Sequence, residues 1–163
     1  MKTKKILMFL CCALALGIFA TSCEEDDYTS QPPTFSDMTF TMVEDGSTDL
    51  RAGERVLATC VQSKKGHLLN LTKYNWSADT EKVTHSYKKE LKAGYDNESQ
   101  NPTDTLVFEN PGTYKVTFSA RYTTSGDYNV VSRVDKIDQG KITYKTPSFQ
   151  FYDVIIEKRV TVK

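Results

Sequence analysis

The most regular alternation of apolar and polar residues in this sequence runs from position 110 to position 122. It begins with Asn-Pro-Gly, which favours a turn because proline restricts φ and glycine accepts positive φ. Apolar side chains then occupy the even positions from Tyr114 to Ala120, and polar ones occupy the odd positions from Lys115 to Arg121. Because successive side chains of a strand point to opposite faces, this pattern predicts a half-buried β-strand.

Shorter stretches of the same kind, separated by turn residues, follow along the rest of the chain. They predict strands at residues 35–43, 55–62, 71–77, 104–109, 128–134, 140–145 and 149–163. Residues 81–93 fit a strand or a helix, and their β neighbours favour a strand. Ser-Gly-Asp within residues 123–127 predicts a hairpin turn. Frequent short strands without a long helix indicate an all-β sandwich, with Trp76 and Tyr114 in its core.

The first residues of the chain have the layout of a secretory signal. Three lysines precede an apolar run of 15 residues at positions 6–20, and Thr-Ser-Cys then ends at Cys23. The run is shorter than the roughly 18–20 residues that a membrane-spanning helix needs. The small residues before Cys23 resemble the lipobox of bacterial lipoproteins, which implies cleavage after residue 22 and a lipid on the Cys23 sulfur. The alternatives are an ordinary signal peptide cut near Ala20 and an uncleaved anchor.

Four acidic residues at positions 24–27 follow Cys23 directly. The run resembles the export signal of surface lipoproteins in the Bacteroidota, which implies an outer-membrane location facing the cell exterior. A solvated acidic tether is a compatible interpretation. Residues 28–34 contain two prolines and indicate an extended spacer. The predicted organisation is a signal peptide at 1–22, a lipidated acidic tether at 23–34 and a folded domain at 35–163.

Several predicted strands resemble those of a polycystic-kidney-disease (PKD) domain, which is an immunoglobulin-like sandwich. The similar segments are Gly-Glu-Arg-Val-Leu-Ala at 53–58, Tyr-Asn-Trp at 74–76, Pro-Gly-Thr-Tyr-Lys-Val-Thr-Phe at 111–118 and Val-Thr-Val at 160–162. The resemblance implies a Greek-key sandwich, here with an elongated hairpin region between the strands called F and G in that family. After Trp76 the chain has Ser-Ala-Asp-Thr instead of the family's Asp-Phe-Gly-Asp-Gly-like turn, so no ligand role is carried over from that turn. The whole chain also looks like the small surface lipoproteins of Bacteroidota that carry one PKD-like domain.

The charge balance excludes one class of partner. The chain has 21 basic and 21 acidic residues, and removal of residues 1–22 takes away three lysines and leaves a formal charge of −3. This is no electrostatic footprint for nucleic acid, so we predict no nucleic-acid partner.

Of the four cysteines, Cys11 and Cys12 lie in the signal segment and Cys23 is the predicted lipidation site. No intramolecular disulfide is therefore predicted.

Few residues suggest chemistry. Cys60 lies on the apolar side of a predicted strand, which favours a small core residue; the alternative pairs it with His85 as nucleophile and base. Asp45 and Asp49, with Ser47 between them, are weak candidates for calcium ligands, although turn chemistry explains the same residues. We predict no catalytic residue, no bound metal and no cofactor.

Aromatic residues supply the remaining candidates. Tyr122, Tyr128, Tyr144 and Phe149 are expected to be exposed and to cluster around the long region between F and G, and loops at one end of a sandwich commonly form binding sites. The alternative is that these rings cover sheet edges or the rim of the core.

We predict a non-catalytic, lipid-anchored surface module that binds a polysaccharide or a protein. A structural accessory subunit of an outer-membrane lipoprotein complex and an enzyme are the alternative functions.

Overall fold

Strands supply all the regular secondary structure in residues 28–80, 83–85, 90–92 and 101–163, which are the residues that the computed structural model describes. In chain order the strands are β1 (Thr29–Ser30), β2 (Thr34–Met42), β3 (Arg55–Lys64), β4 (Leu69–Ala78), β5 (Val83–His85), β6 (Glu90–Lys92), β7 (Thr103–Phe108), β8 (Gly112–Thr124), β9 (Asp127–Tyr128), β10 (Ser132–Ile137), β11 (Gly140–Lys145) and β12 (Phe151–Val162).

The strands form two large antiparallel sheets and one small parallel pair. The six-stranded sheet has the order β10-β11-β12-β8-β4-β6, and the four-stranded sheet has the order β2-β3-β7-β5. The longest ladder joins β8 to β12, from the pair Thr123 and Phe151 to the pair Gly112 and Val162. β1 and β9 form the parallel pair. β8 is therefore a central strand, with β12 on one side and β4 on the other.

The inward faces of the two large sheets meet in one hydrophobic core. The ring of Phe118 on β8 has its centroid 6.0 Å from that of Phe35 on β2 and 4.9 Å from that of Trp76 on β4. Tyr114 contacts Phe108 of β7 with ring centroids 4.9 Å apart. Trp76 and Tyr114 are both buried, as predicted. The prediction of an all-β protein is confirmed, and the two packed sheets are consistent with a β-sandwich.

Most of the predicted strands lie within one or two residues of the observed ones, and their buried faces are those that the alternation indicates. The buried residues on β2, β3 and β7 include Met38, Phe40, Met42, Val56, Ala58, Cys60, Leu106 and Phe108. Within residues 81–93, the described parts are β5 and β6, so the preference for strand is confirmed there. The rest of that segment, and residues 93–100, lie outside the described residues.

Three predictions about local structure are wrong. Residues 123–127 do not form a hairpin, because β8 extends to Thr124 and the next strand, β9, pairs with β1. A Cβ at Gly126 would collide with the carbonyl oxygen of Tyr28, so this glycine allows two segments to pass closely. Residues 28–34 are not a free spacer, since β1 lies within them and Ser30 is buried. The predicted strand at 128–134 is divided, because β9 ends at Tyr128 and β10 begins at Ser132.

Two buried tyrosine hydroxyls join the six-stranded sheet to the rest of the molecule. The Tyr144 hydroxyl on β11 accepts a hydrogen bond from the Phe35 amide at 2.9 Å. The Tyr152 hydroxyl on β12 donates to the Ser30 carbonyl at 2.7 Å and accepts from the Asn129 amide at 3.2 Å. These bonds hold β2, β1 and the segment after β9 against the sheet.

The bond from Phe35 to Tyr144 gives a test of this arrangement. We expect Tyr144→Phe to lower the free energy of unfolding by about 1–3 kcal/mol, because it leaves the buried Phe35 amide unpaired. The measurement is urea denaturation followed by Trp76 fluorescence. Tyr128→Phe is the control, because its ring is only partly buried, and it should change stability by less than about 0.5 kcal/mol. Equal stability of the two variants would contradict the structural role of the Tyr144 hydroxyl.

Candidate functional site

The three tyrosines predicted to form an exposed binding site lie in different environments. Tyr122 and Tyr144 are 1% and 2% exposed, so the prediction that they are exposed is wrong. Tyr122 continues the even-numbered buried face of β8. Tyr144 lies on the buried face of β11, and the guanidinium carbon of Arg133 is 4.3 Å from the centroid of its ring. Extending the alternation by one position would have placed Tyr122 inside. Tyr128 is partly exposed.

Tyr128 belongs to a cluster of exposed apolar side chains at one end of the molecule. We call this group, made of Tyr28, Tyr128, Val130 and Phe149, the aromatic end. Tyr28, Val130 and Phe149 are 67%, 79% and 68% exposed. The rings of Tyr128 and Phe149 pack edge to face with centroids 5.4 Å apart. Tyr28 and Phe149 lie beyond the Thr124 end of β8: the Asp127 amide donates to the Tyr28 carbonyl at 3.0 Å, and the Thr124 amide donates to the carbonyl of Gln150, which follows Phe149, at 3.0 Å.

A groove of about 700 Å³ opens in the other half of the molecule, between β2 and β12. We call it the edge groove. Its apolar lining comes from Met38, Phe40, Leu50 and Val160. Its polar lining comes from Thr39, Thr48, Thr113, Asp138, Gln139, Lys158, Arg159 and Thr161. A bond of 2.7 Å from the Lys158 ammonium to Asp37 joins β12 to β2 above the groove.

Both walls of the edge groove carry open strand backbone. The Val43 amide donates to the Arg55 carbonyl, so the backbone N–H and C=O groups of odd-numbered β2 residues point toward β3. The backbone amide and carbonyl of Phe40 therefore point away from β3. The Arg159 amide donates to the Gln139 carbonyl on the side of β12 that pairs with β11, so the backbone amide and carbonyl of Thr161 point to that side too. The ladder between β11 and β12 ends at the pair Gly140 and Lys158, so β11 does not reach Thr161. Among the described residues, the amide and carbonyl of Phe40 and of Thr161 have no hydrogen-bond partner across the groove. The groove is therefore bordered by unpaired donors and acceptors from both sheets.

Cys60 lies in the core and not in a reactive setting. It is completely buried on β3, which confirms the interpretation as a core residue. Burial raises the pKa of the Cys60 thiol well above its usual value, and the charge of Asp37 acts in the same direction. A catalytic thiol needs the opposite setting, which is exposed and electropositive. His85 lies on β5, two strands away from β3 in the same sheet.

The burial of Cys60 predicts low reactivity in the native state. We expect iodoacetamide to alkylate Cys60 at least about a thousandfold more slowly in the native protein than in urea, because exposure of the thiol requires unfolding that costs at least about 5 kcal/mol. Mass spectrometry of the peptide that contains residue 60 gives the rate at this site. Rapid alkylation at neutral pH without denaturant would restore the thiol as a candidate nucleophile.

The candidate calcium ligands are occupied by turn contacts and ion pairs. Asp45 accepts a hydrogen bond from the Ser47 amide at 2.9 Å and pairs with Arg51 at 3.0 Å. These contacts lower the pKa of Asp45. Asp49 pairs with Lys163. Within the described part of the chain, no group of three or more potential ligands is arranged to hold a metal ion.

The outer face of the six-stranded sheet is polar and crossed by ion pairs. Arg121 binds Asp153 through two nitrogens, at 2.7 and 2.8 Å. Glu157 lies between Lys141 at 2.9 Å and Lys115 at 3.6 Å. The hydrogen bond from Lys141 and the charges of both lysines lower the pKa of Glu157. The three basic side chains of these pairs are about half exposed, and such pairs contribute modestly to stability.

The lowered pKa of Glu157 gives a pH-dependent prediction. A carboxyl with a depressed folded pKa stabilises the fold above its unfolded pKa, and this contribution is lost as the pH falls through the folded pKa. We expect Glu157→Gln to lower the free energy of unfolding by about 0.2–1 kcal/mol at pH 7 and by almost nothing near pH 2. Urea titrations at both pH values provide the measurement. Glu109→Gln, at an exposed position, is the control and should leave the free energy of unfolding unchanged at both pH values. A loss of stability in Glu157→Gln that persists at low pH would contradict the electrostatic cause.

Comparison of the chain with protein-family models, with curated proteins and with solved structures finds no match. In the part of the chain that the structure describes, no helix has the length and apolar character needed to cross a membrane. Two surfaces of the described residues could contact a ligand, the aromatic end and the edge groove.

Proposed function

We propose that this chain is a non-catalytic binding module, held on the outer surface of an outer membrane by a lipid on Cys23, and that it binds an extended polypeptide in the edge groove. The observation that carries the proposal is the open backbone of Phe40 and Thr161 on the two walls of that groove. An extended segment entering the groove pairs its own backbone with these groups, as in strand addition to a sheet edge. The apolar floor then receives alternate side chains of the segment.

We also propose that the two sheets form a PKD-like Greek-key sandwich, and the strand orders support this assignment. In an immunoglobulin-like Greek-key sandwich one sheet has the order A-B-E-D and the other contains G-F-C. The four-stranded sheet matches the first order when β2, β3, β7 and β5 are taken as A, B, E and D. β12, β8 and β4 then correspond to G, F and C, with β6 as an additional edge strand. On this assignment, β9, β10 and β11 are the elongated region between F and G.

Of the two ligand classes, the groove favours a polypeptide over a glycan. Sugars bind well to exposed aromatic faces with nearby polar groups. The aromatic residue of the groove, Phe40, is only 9% exposed, so its ring is largely used by the core. Unpaired strand edges favour another strand, and natural proteins usually protect them for this reason. The open edges of β2 and β12 therefore match the chemistry of a peptide backbone.

Proline at position 161 tests the backbone donor of the groove, and a matched variant at the same position controls for the change of the Thr161 side chain. Thr161 is exposed and its amide faces the groove, so Thr161→Pro removes a donor and blocks approach of a strand while the β8–β12 ladder is kept. Thr161→Val is the matched control, because it retains the amide. We expect the wild type and Thr161→Val to enrich the same peptides from a displayed library of extended heptapeptides, and Thr161→Pro to bind them at least about tenfold more weakly.

Hydrogen exchange identifies the binding mode. Binding of an enriched peptide should slow hydrogen exchange of the Phe40 and Thr161 amides, because strand pairing gives each amide a hydrogen-bond acceptor. Failure to enrich any peptide, together with binding on a glycan array that both variants at position 161 retain, would overturn the polypeptide assignment.

The same open edges also support a second candidate function, that of an accessory subunit in an outer-membrane lipoprotein complex. In that case the inserted strand belongs to a permanent partner. Co-purification of larger proteins from detergent-solubilised membranes, lost in Thr161→Pro and kept in Thr161→Val, would favour this function over capture of free polypeptides.

A further inference from the structure

We propose that the aromatic end rests on the surface of the membrane to which Cys23 is anchored, with its rings in the headgroup region. This inference rests on the lipid anchor of the proposed function. It assigns Tyr28, Tyr128, Val130 and Phe149 to the lipid surface and leaves the edge groove facing away from it.

The first argument is the length of the connection. Four residues separate Cys23 from Tyr28, which is itself part of the aromatic end. Five residue steps reach at most about 18 Å, even when the chain is fully extended. β8 has 13 residues and spans about 40 Å from its Thr124 end to its Gly112 end. The aromatic end therefore stays close to the membrane, and the opposite end, beside the edge groove, cannot take its place.

The second argument is the distribution of exposed apolar side chains. The structure has five large exposed apolar residues in its described part, and three of them, Tyr28, Val130 and Phe149, lie at the end nearest the anchor. Scattered exposed apolar residues need no explanation, but a cluster at one end indicates a contact surface. Tyrosine, with an apolar ring and a polar tip, is enriched at the boundary between water and lipid.

The third argument is that the cluster is held in place by the fold. The Val131 amide donates to the Thr146 hydroxyl at 2.9 Å, which fixes the segment carrying Val130 against the segment carrying Phe149. Exposed lysines end two strands at the same end of the molecule, Lys64 on β3 and Lys145 on β11. Ammonium groups at this end of the molecule suit a surface of anionic headgroups.

A tryptophan substitution measures the contact directly, because Trp76 is the only tryptophan and is 4% exposed. The full chain carrying Phe149→Trp is purified from detergent-solubilised membranes and reconstituted in vesicles of phosphatidylethanolamine and phosphatidylglycerol that are brominated near the headgroup end of the acyl chains. We expect fluorescence quenching about threefold or more above that of the wild type. Val43→Trp is the matched control. Val43 is 40% exposed and follows β2 at the opposite end, so this variant should give quenching close to that of the wild type.

Equal quenching of Phe149→Trp and Val43→Trp would overturn the proposal, as would quenching of Val43→Trp alone. Mass spectrometry of Cys23 in the same preparation separates the two levels of the argument. An unmodified Cys23 refutes the anchor, whereas a lipidated Cys23 with an unquenched Phe149→Trp refutes only the contact. Retention of the unlipidated protein on a glycan array, abolished by Phe149→Ser, would instead assign the aromatic end to a sugar ligand.

Discussion

The burial of one face of β8 between the two sheets is the interaction on which the rest of the structure depends. Its even-numbered side chains from Tyr114 to Tyr122 are all buried, and they contact aromatic residues of both sheets. β8 also pairs with β12 over the full length of that strand and with β4 along most of its own. A strand with one apolar face cannot be stable alone, so these contacts and ladders form together.

Hydrogen bonds from buried tyrosines extend this core to segments that carry little apolar surface. Tyr144 binds the Phe35 amide, and Tyr152 binds the Ser30 carbonyl and the Asn129 amide. The bonds to the Phe35 amide and the Ser30 carbonyl satisfy backbone groups that would otherwise be costly to bury. As a result the chain just after the acidic tether is part of the fold, and the aromatic end has a defined geometry.

The two proposed contact surfaces lie toward opposite ends of the strands and differ in chemistry. The aromatic end offers exposed rings close to Cys23 along the chain, whereas the edge groove offers open backbone above an apolar floor. A lipid surface has no backbone to pair with, and an extended polypeptide has. In the proposed function, this separation leaves the edge groove free while the aromatic end contacts the membrane.

Alternation of apolar and polar residues is a local property of the chain, and it was enough to predict most strands, their buried faces and the core positions of Trp76, Tyr114 and Cys60. It did not predict β1 or the break between β9 and β10. The same rule would have placed Tyr122 inside had it been followed one position further. Tertiary structure alone decided that β9 pairs with β1, that Tyr144 is covered by Arg133 and that Tyr28, Val130 and Phe149 meet at one end. It also decided that β2 and β12 leave an open groove between them. These features depend on which distant segments become neighbours, and pairing between distant strands has no periodic signal in the sequence.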